Sequence, residues 1–114
     1  MRREVIDYIE DVIDAITNAT EFVKDMTYDR FVKDTKTVYA VIRAIEIMGE
    51  AVKNIAEEIR EKYPDVPWRA LAGMRDKVIH AYFGVKLERV WEVVKRDMPS
   101  LKTKFEKIRK DLKE

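Results

Sequence analysis

Apolar residues recur along this chain in steps of three and four, and that period admits helices and excludes strands. From Glu4 to about Val23 the stripe runs through Val5/Ile6, Ile9, Val12/Ile13, Ile16, Ala19 and Val23. A second stripe, from Thr35 or Lys36 to Lys62, takes Val38, Val41/Ile42, Ile45, Met48, Val52, Ile55/Ala56 and Ile59. Ala44, Ile47 and Ala51 widen it, with Gly49 alongside, so this second helix is expected to be buried on two sides. Gly49 would cost ~1 kcal/mol relative to alanine in a helix interior, which the close approach of another helix would explain.

The punctuation between the stripes supports the same reading. Lys24 to Met26 reads as a loop, with Thr27 as N-cap of a short helix from Tyr28 and Asp29 in its first turn. Tyr63-Pro64-Asp65-Val66-Pro67 ends the second long helix, because each proline disfavours helical geometry in its predecessor. Pro67 can open the next turn, Trp68–Leu71, and Gly73 allows a bend. A helix from about Met74 to Tyr82 or Phe83 follows, with Gly84 as a left-handed C-cap. Leu87 to Asp97 forms another, with Leu87, Val90/Trp91 and Val94 inward. Pro99 should break or kink it before a last helix marked by Leu101, Phe105, Ile108 and Leu112. The expected fold is an all-α helical bundle, two long antiparallel helices plus shorter ones, with residues 1–114 as a single domain.

Composition narrows the class. Charged residues reach 39%, well above the usual quarter. No apolar run approaches the ~20 residues that span a bilayer, and the N-terminus leads into charges, not a signal core. With no cysteine, thiolate metal sites and disulfides are excluded, and a cytoplasmic location is the expectation. Glutamine is absent, while Lys, Arg and Glu abound, the signature of a thermophile protein. The net charge of +1 hides a polarity: residues 1–34 carry five basic and nine acidic groups, residues 95–114 eight basic and four acidic. Such a molecule can meet a polyanion with its basic end, although solvated helix faces explain the same pattern.

One stretch concentrates chemistry: Gly73-Met74-Arg75-Asp76-Lys77-Val78-Ile79-His80-Ala81-Tyr82-Phe83-Gly84, which holds the sole histidine. On a helix Asp76 and His80 are neighbours on one face. Arg75 lies about 100° from Asp76, and Tyr82 lies two turns beyond Arg75 on nearly the same azimuth. One surface could thus present a guanidinium suited to phosphate, a carboxylate to hold the imidazole, the imidazole itself and a phenol. Phosphodiester transfer by a 2′-hydroxyl needs such groups, since one proton leaves, another arrives and phosphate charge must be neutralised. Spacing alone leaves a structural or surface histidine as the competing reading.

Arg75-x4-His80-x-Tyr82 resembles the R-x4-H-x-Y motif of HepT-like toxins in the HEPN superfamily of helical ribonucleases. The likeness extends to Pro67-Trp68-Arg69, Gly73-Met74-Arg75, His80-Ala81-Tyr82-Phe83-Gly84-Val85 and Val90-Trp91, and upstream to Met48-Gly49-Glu50-Ala51. Asp76 departs from the asparagine many relatives carry; a carboxylate there orients the imidazole more firmly but repels phosphate. The resemblance implies a HEPN-like fold and a homodimer whose motif helices meet across a cleft. It also implies a metal-independent endoribonuclease acting on RNA, without cofactor, and a neutralising MntA-type nucleotidyltransferase antitoxin that adds AMP to Tyr82. General acid–base cleavage needs two proton-handling groups and each chain has one histidine, which argues separately for a dimer. His80 is then the expected acid and base, Arg75 the phosphate and transition-state binder, Asp76 the orienter, and Tyr82 a substrate contact and modification target. Lys77, Lys102, Lys104 and Lys107, with Arg109 and Lys110, are candidates for tracking the RNA backbone. The alternative is a non-catalytic helical subunit that positions substrate for, or regulates, the nucleotidyltransferase.

Overall fold

Helix α1 spans Val5–Phe22 and buries Ile9, Val12, Ile13, Ala15, Ile16 and Ala19, the face its apolar period dictates. Its first turn is closed by the Asp7 carboxylate, which accepts from the Glu4 backbone N–H at 2.8 Å. A computed structural model describes residues 3–74, 76, 77 and 86–114, and these are helical with intervening turns and no strand. After a turn in which Asp25 takes a left-handed φ of 63°, Thr27 Oγ1 accepts from Arg30 N at 3.2 Å and starts α2, Tyr28–Lys33. Helix α3, Thr35–Lys53, begins where the Asp34 carboxylate accepts from Thr37 N at 3.1 Å. Hydrogen bonding from the Thr37 backbone and side chain holds Asp34 below the ordinary carboxylate range, with Lys36 and Arg30 adding to the effect.

The core lies chiefly between α1 and α3, with the C-terminal helix laid against α1. From α3 it receives Val38, Val41, Ile42, Ile45, Met48 and Val52. Gly49 is buried there. Ile47 is not: it stays exposed, as does Phe22, and both border a shallow groove between α1 and α3 floored by Ala15 and Ala44.

The second long helix is shorter than its apolar stripe suggests. It stops at Lys53, and a separate α4, Glu57–Lys62, follows. Arg60 explains how the break is tolerated. Its guanidinium donates to Ile55 O at 3.0 Å, beyond the helix end, and at 2.8 Å to Val52 O, which also accepts from the Ile55 N–H at 3.1 Å. Ile55 stays buried across the break, so the stripe continues where the helix does not.

Pro99 also acts differently from expectation. Helix α6, Leu87–Glu92, passes into a π turn, Val93–Asp97, and directly into α7, Met98–Lys113, without a break. A proline ring would collide with the carbonyl four residues back in a regular helix. Here the wide turn stands immediately before it, with Met98 N–H donating five residues back to Val93 O, so the chain continues through Pro99. Val90, Val94, Met98, Leu101, Phe105 and Ile108 line the buried side of this continuous stretch. Leu112 is left exposed.

Candidate active site

The motif segment joins two anchored elements. On its N-terminal side, Pro67 leads into α5, Trp68–Ala72, and Trp68 locks this short helix in place. Its ring meets Phe105 of α7 edge-on at 5.6 Å, and its indole N–H donates to Tyr63 O at 2.9 Å. The preceding loop is tied to the same helix, because Tyr63 OH donates to Asp111 Oδ2 at 2.7 Å and Lys104 Nζ to Asp65 O at 2.8 Å. The bond to Asp111 holds the Tyr63 phenol above its ordinary pKa, with burial contributing in the same direction. Lys77 N–H then donates to Gly73 O at 3.3 Å, the first step of the helical turn holding Met74, Asp76 and Lys77.

On the C-terminal side α6 is held by an aromatic cluster. Trp91 packs on Phe31 at 5.1 Å and on Tyr28 at 6.0 Å, with Lys95 Nζ 5.1 Å from the Trp91 ring centre. Tyr28 OH reaches Glu88 Oε2 at 3.4 Å. Burial and that neighbouring carboxylate raise the Tyr28 pKa.

Of the expected site residues, Asp76 and Lys77 are exposed on the helical turn. Arg75, His80 and Tyr82, and with them the expected helix to Tyr82 or Phe83 and its Gly84 cap, lie outside the described residues. The C-terminal cations do not all share one face of α7. Lys104 borders a groove against α5. Lys102 sits about 160° around α7 from it at 100° per residue, and Lys107 is exposed outside that groove.

Two grooves flank the ridge made by Pro67 and Ala70. One, of ≈ 720 Å³, is bordered by Arg69 and Lys77. The other, of ≈ 260 Å³, runs between α5 and the π turn, floored by Leu71, Met74 and Leu101 and rimmed by Arg96, Asp97, Ser100 and Lys104. The side chains of Arg69, Lys77 and Arg96 make no hydrogen bond or ion pair with another described residue. Sequence reasoning missed Arg69 and Arg96. Arg69 stands inside the Pro-Trp-Arg signature and was readable; Arg96 reaches this place only through the long-range packing of α5 on α7. Among the described residues no cluster of three or more His, Asp or Glu could hold a metal ion, and no helix is long and apolar enough to cross a membrane.

Comparison with known proteins gives this frame a family. The chain is 52% identical over 110 residues to a protein of Thermococcus cleftensis named "Probable ribonuclease HepT", covering 96% of this chain and all of that one. It is 48% identical over 113 residues to a Methanocaldococcus jannaschii protein named "Putative RNase MJ0125", covering 99% of this chain and 97% of the other. A third relative, 46% identical over 112 residues, is the M. jannaschii protein "Gamma-glutamylcyclotransferase and putative RNase MJ0434", of which the match covers 50%. No solved structure matches the chain. The family described as "Ribonuclease HepT-like" matches residues 12–108, a span that takes in both anchors, both grooves and the whole motif segment between them, and the chain therefore belongs to that family, within the HEPN superfamily.

Proposed function

We propose that this protein is a metal-independent endoribonuclease, the toxin of a type VII-like toxin–antitoxin pair, working as a homodimer. The observation that carries the reading is the family match over residues 12–108, which includes Arg75-x4-His80-x-Tyr82. The cations Arg69, Lys77 and Arg96 near the motif's N-terminal end, whose side chains pair with no other described residue, support a polyanionic substrate.

The reaction is transfer of the phosphodiester to the adjacent 2′-hydroxyl. An imidazole takes the 2′-hydroxyl proton as that oxygen attacks phosphorus. A second imidazole, protonated, delivers a proton to the departing 5′-oxygen, leaving a 2′,3′-cyclic phosphate and a free 5′-hydroxyl. His80 of each of two chains supplies these groups, Arg75 stabilises charge building on the phosphoryl oxygens, and Asp76 holds the imidazole in its working orientation. Tyr82 contacts substrate. An AMP added there by a nucleotidyltransferase antitoxin places negative charge and bulk where phosphate must bind, which stops the reaction.

The test is cleavage of RNA by purified protein in EDTA, with end-group analysis. Cyclic phosphate ends, their loss in His80→Ala, and a solution mass twice the 13.5 kDa of the chain are expected. Cleavage that persists in His80→Ala, or a protein that is only monomeric, refutes the mechanism. Co-expression with the partner should add mass in multiples of AMP to wild-type protein and none to Tyr82→Phe.

A further inference from the structure

We propose that the groove between α5 and the π turn is a nucleotide subsite: it seats one residue of the RNA strand beside the scissile phosphate, with Arg96 holding that residue's phosphate and Lys104 presenting a second cation farther along the same rim. This rests on the ribonuclease reading above.

The groove has two chemically distinct surfaces. Its floor is apolar, made by Leu71, Met74 and Leu101, with Ala70 and Pro67 at its edge. Its rim on the α7 side carries donors at every fourth position, Arg96, Ser100 and Lys104, so they follow one another along one face at roughly 6 Å per step. A base has a π face that needs an apolar bed and a phosphate that needs cations, and sequence-tolerant single-strand recognition combines those two. At ≈ 260 Å³ the groove is somewhat smaller than the ~300 Å³ at which pockets begin to hold drug-sized ligands. That suits one nucleotide unit and excludes a folded duplex.

The cations are ready for such a ligand. Lys104 is pinned by its bond to Asp65 O at 2.8 Å, and an ammonium has two further donors to offer. Because it is already held, less side-chain entropy is lost when it meets phosphate. The Arg96 side chain makes no hydrogen bond or ion pair with another described residue, and its guanidinium can take a phosphate bidentately. It projects from the π turn, a helix defect that recurs at functional sites. Asp97, the one carboxylate on the rim, can accept from an exocyclic amino group and would repel a second phosphate, which limits the site to one. Met74 on the floor adjoins Arg75 in the chain, so a nucleotide seated here lies next to the residue with which the motif begins.

The test uses full-length protein and a fluorescent single-stranded oligoribonucleotide. Arg96→Ala should raise KM about tenfold with kcat within twofold, the pattern of lost uniform binding, and Arg96→Lys should recover most of that loss. Ala70→Phe, at an exposed position on the groove edge, should raise KM similarly by filling it. Lys24→Ala, at an exposed cation outside both grooves, should match wild type. In a His80→Ala background, Arg96→Ala should lower the slope of log affinity against log salt by about 0.7, one phosphate contact on a single strand. If wild type cleaves but Arg96→Ala and Ala70→Phe leave KM and the salt slope unchanged, the subsite is overturned and the activity stands. If wild type binds the RNA with an Arg96-dependent slope yet never cuts it, the activity reading falls and the subsite stands. Neither cutting nor binding overturns both.

Discussion

Trp68→Phe tests whether the α5 anchor is what presents the motif. The substitution keeps an aromatic ring facing Phe105 and so retains most of the edge-on contact. It removes the indole N–H that donates to Tyr63 O at 2.9 Å, a bond worth ~1 kcal/mol net, and at the low end because Tyr63 is only half-buried. It also removes apolar ring surface equivalent to one or two methylenes, at ~0.8 kcal/mol each. The sum is about 2 kcal/mol. For a domain near 100 residues that corresponds to a fall in Tm of roughly 8–16 °C. Urea unfolding followed by far-ultraviolet circular dichroism measures it directly, at one fixed protein concentration because dimer formation would couple stability to concentration. The midpoint should fall with the slope unchanged, and RNA cleavage should weaken at temperatures where the variant is still folded. A loss under ~0.5 kcal/mol would refute the reasoning, since Trp68 is the side chain through which α5 meets both Tyr63 and α7 among the described residues. Trp68→Ala, which leaves a cavity as well, should cost ~3–5 kcal/mol.

Two further outcomes are expected. Arg60→Met keeps the aliphatic stem but removes both guanidinium bonds, leaving the Val52 carbonyl with its Ile55 N–H donor and the Ile55 carbonyl without its Arg60 donor, so stability should fall by about 1–3 kcal/mol; amide exchange should quicken first in α4, and uniform exchange across α3 and α4 would contradict this role for Arg60. Asp34 is held below its ordinary pKa by Thr37, so its contribution is present above the unfolded carboxylate's pKa and lost as pH falls through the folded one. Asp34→Ala should therefore lower Tm at neutral pH, with the gap from wild type closing in acid; a gap independent of pH would show that charge at this cap is irrelevant.

The helices were legible because their causes are local. Thr27 caps α2 through a bond three residues away, and Ile9, Val12, Ile13 and Ile16 face inward by period alone. The end of α3 was not legible, because Ile55 and Ile59 prolong the apolar stripe while Arg60, from eight residues ahead, stabilises the break. Pro99 misled for a related reason. The rule against a proline inside a helix assumes a regular helix, and one π turn removes the collision. Of the candidate site, the resemblance marked the motif and Arg69 lay within its flanks. Arg96 was out of reach, since a groove wall formed by two elements 20 or more residues apart leaves no periodic trace.

The amino-acid order alone determined the helical class, the Thr27 cap and the family, because each depends on side-chain period or on motif residues a few positions apart. Tertiary packing decided where α3 stops, how the chain passes Pro99 and which cations share a groove. Those outcomes depend on which distant group arrives to satisfy a carbonyl or border a cleft, and only the folded chain brings Arg60 under Val52 or Arg96 and Lys104 beside Met74.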